Sequence, residues 1–173
     1  MPNWCSGDIV VKGKPEAVKK FCKYFVFEEQ NDCSNTKAIQ KEYFARSFAE
    51  TSWDDFKKEH LKDSPSEISF LVSFAWSCHS CMVEGYPNGK QLVTLKDVCK
   101  KLGVEVWIET EETGLGFEED IHCNKGELSD SCEDMVSYEC KGCENKQYLS
   151  TQSEVSDLEC GECEDPKFEV VKN

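Results

Sequence analysis

Basic residues are scarce in this chain: 20 Lys and Arg stand against 34 Asp and Glu in 173 residues, a formal charge of −14. The deficit is uneven: residues 1–60 are balanced, residues 61–120 carry a net −6 and residues 121–173 a net −8. Affinity for phosphate comes mainly from Lys and Arg displacing counterions, so a free duplex or tRNA meets net repulsion here. Acidity of this size either keeps a protein soluble or meets a basic partner. Histidine is rarer still: His60, His79 and His122 are the only three, and they are scattered. No Ser, His and Asp arrangement is recognisable from spacing, and no catalytic residue is assigned. A phosphate loop is missing too, because Thr113-Gly114-Leu115-Gly116 is followed by Glu118, Glu119 and Asp120 and not by a lysine. The longest apolar run, near Phe70–Cys78, is too short to cross a bilayer. The opening Met1-Pro2-Asn3-Trp4-Cys5 lacks a basic n-region and an apolar h-region. The expectation is a soluble cytoplasmic protein with no membrane partner.

Cysteine, by contrast, is plentiful at 12 residues, and in a reducing compartment these are ligands or small hydrophobes before they are disulfides. Four of them form Cys140-x2-Cys143-x16-Cys160-x2-Cys163. Two Cys-x-x-Cys knuckles on facing hairpins can set four thiolates around one zinc ion, and Gly142 and Gly161 suit the knuckle turn. With all four positions filled, such a zinc is structural. A module this small buries too little apolar surface to fold alone, so the metal supplies the folding energy. Its lysines (Lys141, Lys146, Lys167, Lys172) are outnumbered by nine acids, which makes it protein-facing or purely structural.

Ahead of this module the pattern alternates between strand and helix periods. Asp8–Lys12 reads as a strand, and Pro15 opens a helix with Val18, Phe21, Cys22 and Phe25 on one face and Lys19, Lys20 and Lys23 opposite. Residues 28–36 read as a loop, Tyr43–Glu50 as a strand, and 53–61 as a short helix capped by Ser52. Ile68, Phe70, Val72, Phe74 and Trp76 alternate as a strand. Leu92, Leu95, Val98, Cys99 and Leu102 make a helix stripe stopped by Gly103, and a strand begins at Val104. Two hairpins follow, Phe117–Cys123 and Glu127–Ser131, and Ser129–Ser137 reads as an acidic linker. The order is βαββαβ with added strands. This is an α+β, ferredoxin-like split βαβ domain over residues 1–132 with helices on one sheet face, followed by a zinc ribbon over 138–173.

Two further groups are candidates. Cys78-His79-Ser80-Cys81 follows a strand. It reads as packing thiols, as a thiol-redox pair, or, with His122, Cys123 and nearby Cys132, as a second metal site. The redox reading needs a helix after Cys78 to acidify the thiol, and Gly85, Pro87 and Gly89 argue against one of useful length. The acids Glu109, Glu111, Glu112, Glu118, Glu119 and Asp120 bracket a hairpin tip, either as a solvated loop or as a carboxylate patch that meets a basic groove.

The opening pentapeptide, the strand into a lysine-rich helix, Phe74-Ala75-Trp76-Ser77 and Trp107-Ile108-Glu109-Thr110-Glu111-Glu112-Thr113-Gly114 with its Gly-containing hairpin carry a resemblance. Over about residues 1–130 the chain resembles the YubB-type ferredoxin-like family of small phage and plasmid proteins. The resemblance implies a ferredoxin-like fold without an iron–sulfur cluster, carriage on a mobile element and residence in a host cell's cytoplasm. It implies no catalytic residues. The chain departs from the family where prolines are expected after Trp76, at Cys78–Cys81, and in its metal-binding tail. Charge, acidic hairpin and resemblance together point to a non-enzymatic protein docking on a basic host protein, such as a CRISPR effector. A zinc-ribbon nucleic-acid-binding regulator using the lysine-rich first helix is the alternative, and a thiol-redox protein using Cys78 and Cys81 a second one.

Overall fold

The computed structural model of the chain describes residues 3–24, 47–48, 53–84, 94–149, 160, 163 and 167–171. The expectations for Phe25, for the 28–36 loop, for most of Tyr43–Glu50, and for Ser52, Leu92 and Gly161 lie outside the described residues.

Apolar alternation builds the body. The strands β1 (Trp4–Lys12), β2 (Ser47–Phe48), β3 (Glu67–Ala75), β4 (Glu105–Glu112), β5 (Phe117–Asn124) and β6 (Glu127–Asp134) form one antiparallel sheet in the order β2-β3-β1-β4-β5-β6. Its register aligns Phe70, Ile9, Ile108 and Ile121 in one row, and Ile68, Val11, Val106 and Cys123 in the next. All of these side chains are buried on the same face. The helices α1 (Pro15–Tyr24), α2 (Trp53–His60) and α3 (Leu95–Leu102) cover that face. Helix α1 contributes Val18, Phe21 and Cys22, and α3 contributes Leu95, Val98 and Cys99. From α2, Phe56 meets Phe70 edge-on at 4.9 Å.

Helix α3 starts at Thr94, whose hydroxyl accepts from the Asp97 N–H, and stops at Gly103, whose φ of 66° suits the residue without a Cβ. Its lysines Lys96, Lys100 and Lys101 face solvent, as do Lys14, Lys19, Lys20 and Lys23 beside and along α1. Among the described residues, no helix is long and apolar enough to cross a membrane.

Two segments differ from the sequence expectation. Ser129–Ser137 is not an irregular linker: β6 runs to Asp134 and β7 (Val136–Cys140) starts two residues later. Only the start of β6, Glu127–Ser131, shows in the sequence, because the edge strand is exposed on both faces from Ser129 onward and no apolar alternation marks its continuation. The Met135 N–H donates to Gly116 O at 2.7 Å, and the Tyr148 ring lies against Gly116, which ties this segment to the β4–β5 turn. The second difference follows Ser77. The chain is helical from Cys78 and continues as a π-helical turn, Ser80–Glu84, although the glycines and proline beyond it argued against a helix of useful length.

The last strands, β7, β8 (Lys146–Leu149) and β9 (Phe168–Val171), form a second antiparallel sheet in the order β8-β7-β9.

Candidate metal centre and acidic sheet face

The four cysteines expected to act together do converge. Strand β7 ends at Cys140, the turn to β8 carries Cys143, and Cys160 and Cys163 precede β9. The four sulfur atoms lie within 4.8 Å of one another. Cys140 Sγ is 3.6 Å from Cys163 Sγ, and Cys143 Sγ is 3.4 Å from Cys160 Sγ. A disulfide needs about 2.05 Å, so these are separate thiols. A tetrahedron of thiolates with metal–sulfur bonds of about 2.3 Å has edges of about 3.8 Å, close to the spacing found. Four cysteines lie together and could bind a metal ion.

Local backbone makes the site. The Cys140 N–H donates to Asn145 O, and the Glu144 N–H donates back to Cys140 O at 2.8 Å, closing a tight knuckle. The Lys141 N–H donates to Lys167 O at 2.9 Å and binds the knuckle to the β9 side. Gly142 is required by space, because a Cβ there would sit 2.9 Å from Cys163 Sγ. The Gly142 N–H, and then the Cys143 N–H, point at Cys140 sulfur and lower its pKa to about 7. Cys163 is pushed the other way, to about 12, first by the Cys140 sulfur. Four thiols this close cannot all ionise without a cation among them.

The other metal-site candidates stay apart. Among the described residues, the four C-terminal cysteines are the one group of three or more ligand side chains within reach of a common ion. His122 and Cys123 are neighbours on a strand and so face opposite sides of the sheet. Cys123 is buried beside Cys99 of α3. The His122 ring stacks on Trp107 outside, with centroids 4.9 Å apart and planes at 10°, and its Nε2–H donates to Glu105 at 3.0 Å. Cys78 and Cys81 are fully buried elsewhere: Cys78 Sγ lies 3.9 Å from Met82 Sδ, and Cys81 Sγ donates to Ala75 O at 3.4 Å. Cys132 is exposed on β6. So the structure does not bring Cys78, Cys81, His122 and Cys123 within reach of a common ion.

Cys78 also lacks the surroundings of a reactive thiol. Burial, followed by the nearby charges of Glu119, Cys5 and Cys81, raises its pKa well above the usual value. A nucleophilic cysteine needs the opposite, an exposed thiolate in an electropositive setting.

Strand alternation divides the acidic hairpin. Glu112 and Glu119 belong to the covered face and are only 3% and 4% exposed. The Glu112 carboxylate accepts from the Gly114 and Leu115 N–H groups and so holds the turn. Glu119 accepts from the Cys78 N–H, from the Ser77 hydroxyl and from the Cys5 thiol. These two acids are structural. Glu111, Glu118 and Asp120 lie on the other, outer face.

Sequence reasoning missed the extent of that outer face. The register places Asp8, Glu109 and Asp120 in one cross-strand row, and Glu111, Glu118 and Glu133 in the next. Asp8, Glu109, Glu111 and Asp120 are exposed. Period-two spacing on strands β1, β4, β5 and β6 could have revealed the rows, but only once the strand order was known. Trp4 and Leu71 are exposed on the same face, with Leu71 at 68%.

No protein-family model, no curated protein and no solved structure matches this chain.

Proposed function

We propose that this chain is a non-enzymatic acidic binding protein of a phage or other mobile element, docking on a host protein with a basic surface. A nucleic-acid-handling defence system, such as a CRISPR effector, is the machine it would inhibit. The observation that carries the reading is the outer sheet face. Strands stand about 4.8 Å apart and same-face residues about 6.8 Å apart along a strand, so the two acidic rows form a lattice of carboxylates. Such a lattice can take the contacts that a basic groove offers to phosphates. It also costs stability, since like charges directly opposite on neighbouring strands repel. Asp8–Glu109, Glu109–Asp120, Glu111–Glu118 and Glu118–Glu133 are all opposed in this way. Solubility alone needs no such alignment.

The body supports a ferredoxin-like split βαβ. The neighbour order β4-β1-β3-β2, with α1 after β1 and α3 after β3, belongs to that arrangement, with β5 and β6 added. For the tail we propose a zinc ribbon. Four soft thiolates in a closed tetrahedron suit zinc, and with no open position the ion holds structure and does no chemistry. Its role is to fix β7, β8 and β9, and through Met135 and Tyr148 to brace the β4–β5 turn at the edge of the acidic face.

A second reading draws on the helix layer. Lys14, Lys19, Lys20, Lys23, Lys96, Lys100 and Lys101 are exposed there, on the side of the sheet away from the acidic rows. That layer favours a nucleic-acid-binding regulator, with phosphate contacts from the helices. A pull-down with tagged protein from a bacterial lysate, split into nuclease-treated and untreated halves, separates the two. Protein docking predicts capture in both halves that weakens with salt. Capture only in the untreated half replaces it with the regulator reading.

A further inference from the structure

The outer sheet face holds an open groove of about 350 Å³ across β4, β5 and β6. The register defines its two sides. One is the row Trp107, His122 and Ser129, and the other is the row Glu109, Asp120 and Ser131. Trp107 and His122 are cross-strand partners with parallel rings. Their stack therefore runs across the strands, and the far side of the His122 ring is turned toward β6. There the cross-strand neighbour is Ser129, a small exposed residue that leaves room over the strand. Glu105 holds the ring in this orientation through His122 Nε2. Asp120 lies one same-face position along β5, and Glu109 opposite it on β4. Among the described residues neither carboxylate is paired with a cation.

An aromatic stack with a vacant end beside two unpaired carboxylates asks for a cation that is flat. Guanidinium meets both demands, since it stacks on aromatic faces and presents N–H groups edge-on to carboxylates. An ammonium has no flat face and holds its water more strongly. We propose that this groove receives an arginine side chain of the partner, continuing the Trp107–His122 stack and donating to Asp120, with the Glu109 carboxylate adding charge behind it. The inference rests on the docking reading above, and it names the residue that the acidic face selects. Lysine-rich surfaces meet the same charge without the stack.

The test uses nona-arginine and nona-lysine peptides as probes, titrated calorimetrically into the full-length, metal-loaded protein at low salt. Wild type should bind nona-arginine roughly fivefold more tightly than nona-lysine, the scale of one partly exposed cation–π contact. In His122→Leu and in Trp107→Leu that preference should fall below about twofold, while nona-lysine affinity stays unchanged. Equal affinity of wild type for the two peptides overturns the groove and leaves the docking reading standing. So does a preference that survives both substitutions. Binding of neither peptide overturns the acidic-face reading and the groove together. The wild-type comparison needs no variant to fold.

Discussion

The carboxylate of Glu119, on β5, accepts a hydrogen bond from the backbone N–H of Cys78 at 2.6 Å, 41 residues away in the chain. The same carboxylate accepts from the Ser77 hydroxyl at 2.7 Å, and the Ser80 N–H donates to that hydroxyl. Glu119 thus starts the helical turn that buries Cys78, Cys81 and Met82 against the core.

Replacing Glu119 with Ala leaves a buried N–H and a partly buried hydroxyl unsatisfied, each costing about 1–3 kcal/mol. We expect Glu119→Ala to lower unfolding free energy by about 2–3 kcal/mol in urea titration. Its neighbour Asp120, on the outer face, should change stability by less than about 0.5 kcal/mol when replaced by Ala. Equal effects would contradict the assignment of the two acids to opposite faces.

Opposed carboxylates on the outer face should be a measurable burden. Glu109 lies between Asp8 and Asp120, so Glu109→Thr relieves two like-charge contacts and puts a good strand former in their place. The expected outcome is a gain of about 0.5–1 kcal/mol with weaker docking. A loss of stability would mean that the acids are satisfied within the fold.

For the four-cysteine cluster we expect one tightly held ion per chain, read by elemental analysis of the purified protein. Cys140→Ser or a strong chelator should release it and dissolve the β7–β8–β9 sheet while the core of the six-stranded sheet persists. Amide exchange would show protection lost from Val136 onward and kept in β1, β3 and β4. Gly142→Ala should weaken retention of the ion in competition with a chelator, because the added Cβ meets Cys163 sulfur at 2.9 Å.

Thiol titration carries a pH signature. Burial pushes Cys5 and Cys22 up to about 12. Unfolded thiols ionise from about pH 8.5–9. Between that pH and about 12 the unfolded state binds fewer protons than the folded one, so stability falls as pH rises. Each thiol should contribute a slope of about 1.4 kcal/mol per pH unit, and Cys5→Ala should remove its share. In the native protein at pH 8, Cys132 should react with an alkylating reagent while Cys5, Cys22, Cys78 and Cys81 remain protected.

Local rules made much of the body legible. Alternation at Ile68–Phe74 and Val104–Ile108, the stripe on α3 with its Gly103 stop, and the paired Cys-x-x-Cys spacing each carry their own physical signal. What was hidden depends on long-range pairing. Acidity at Glu111, Glu112, Glu118 and Glu119 looks uniform in sequence, and only the strand period separates Glu112 and Glu119 as internal hydrogen-bond acceptors. His122 and Cys123 looked like joint ligands for the same reason, since adjacency in sequence is opposition in a strand. The turn after Ser77 escaped because its N-terminus is held by a residue on another strand.

The docking claim is tested most directly by comparing two charge-reversed proteins in the nuclease-treated capture. One carries Glu109→Lys, Glu111→Lys and Asp120→Lys on the sheet face; the other carries Lys19→Glu, Lys20→Glu and Lys96→Glu on the helix layer. The account predicts that the protein captured by wild type is lost from the first and kept by the second. Retention by the sheet-face variant, with loss from the helix-layer variant, would contradict it.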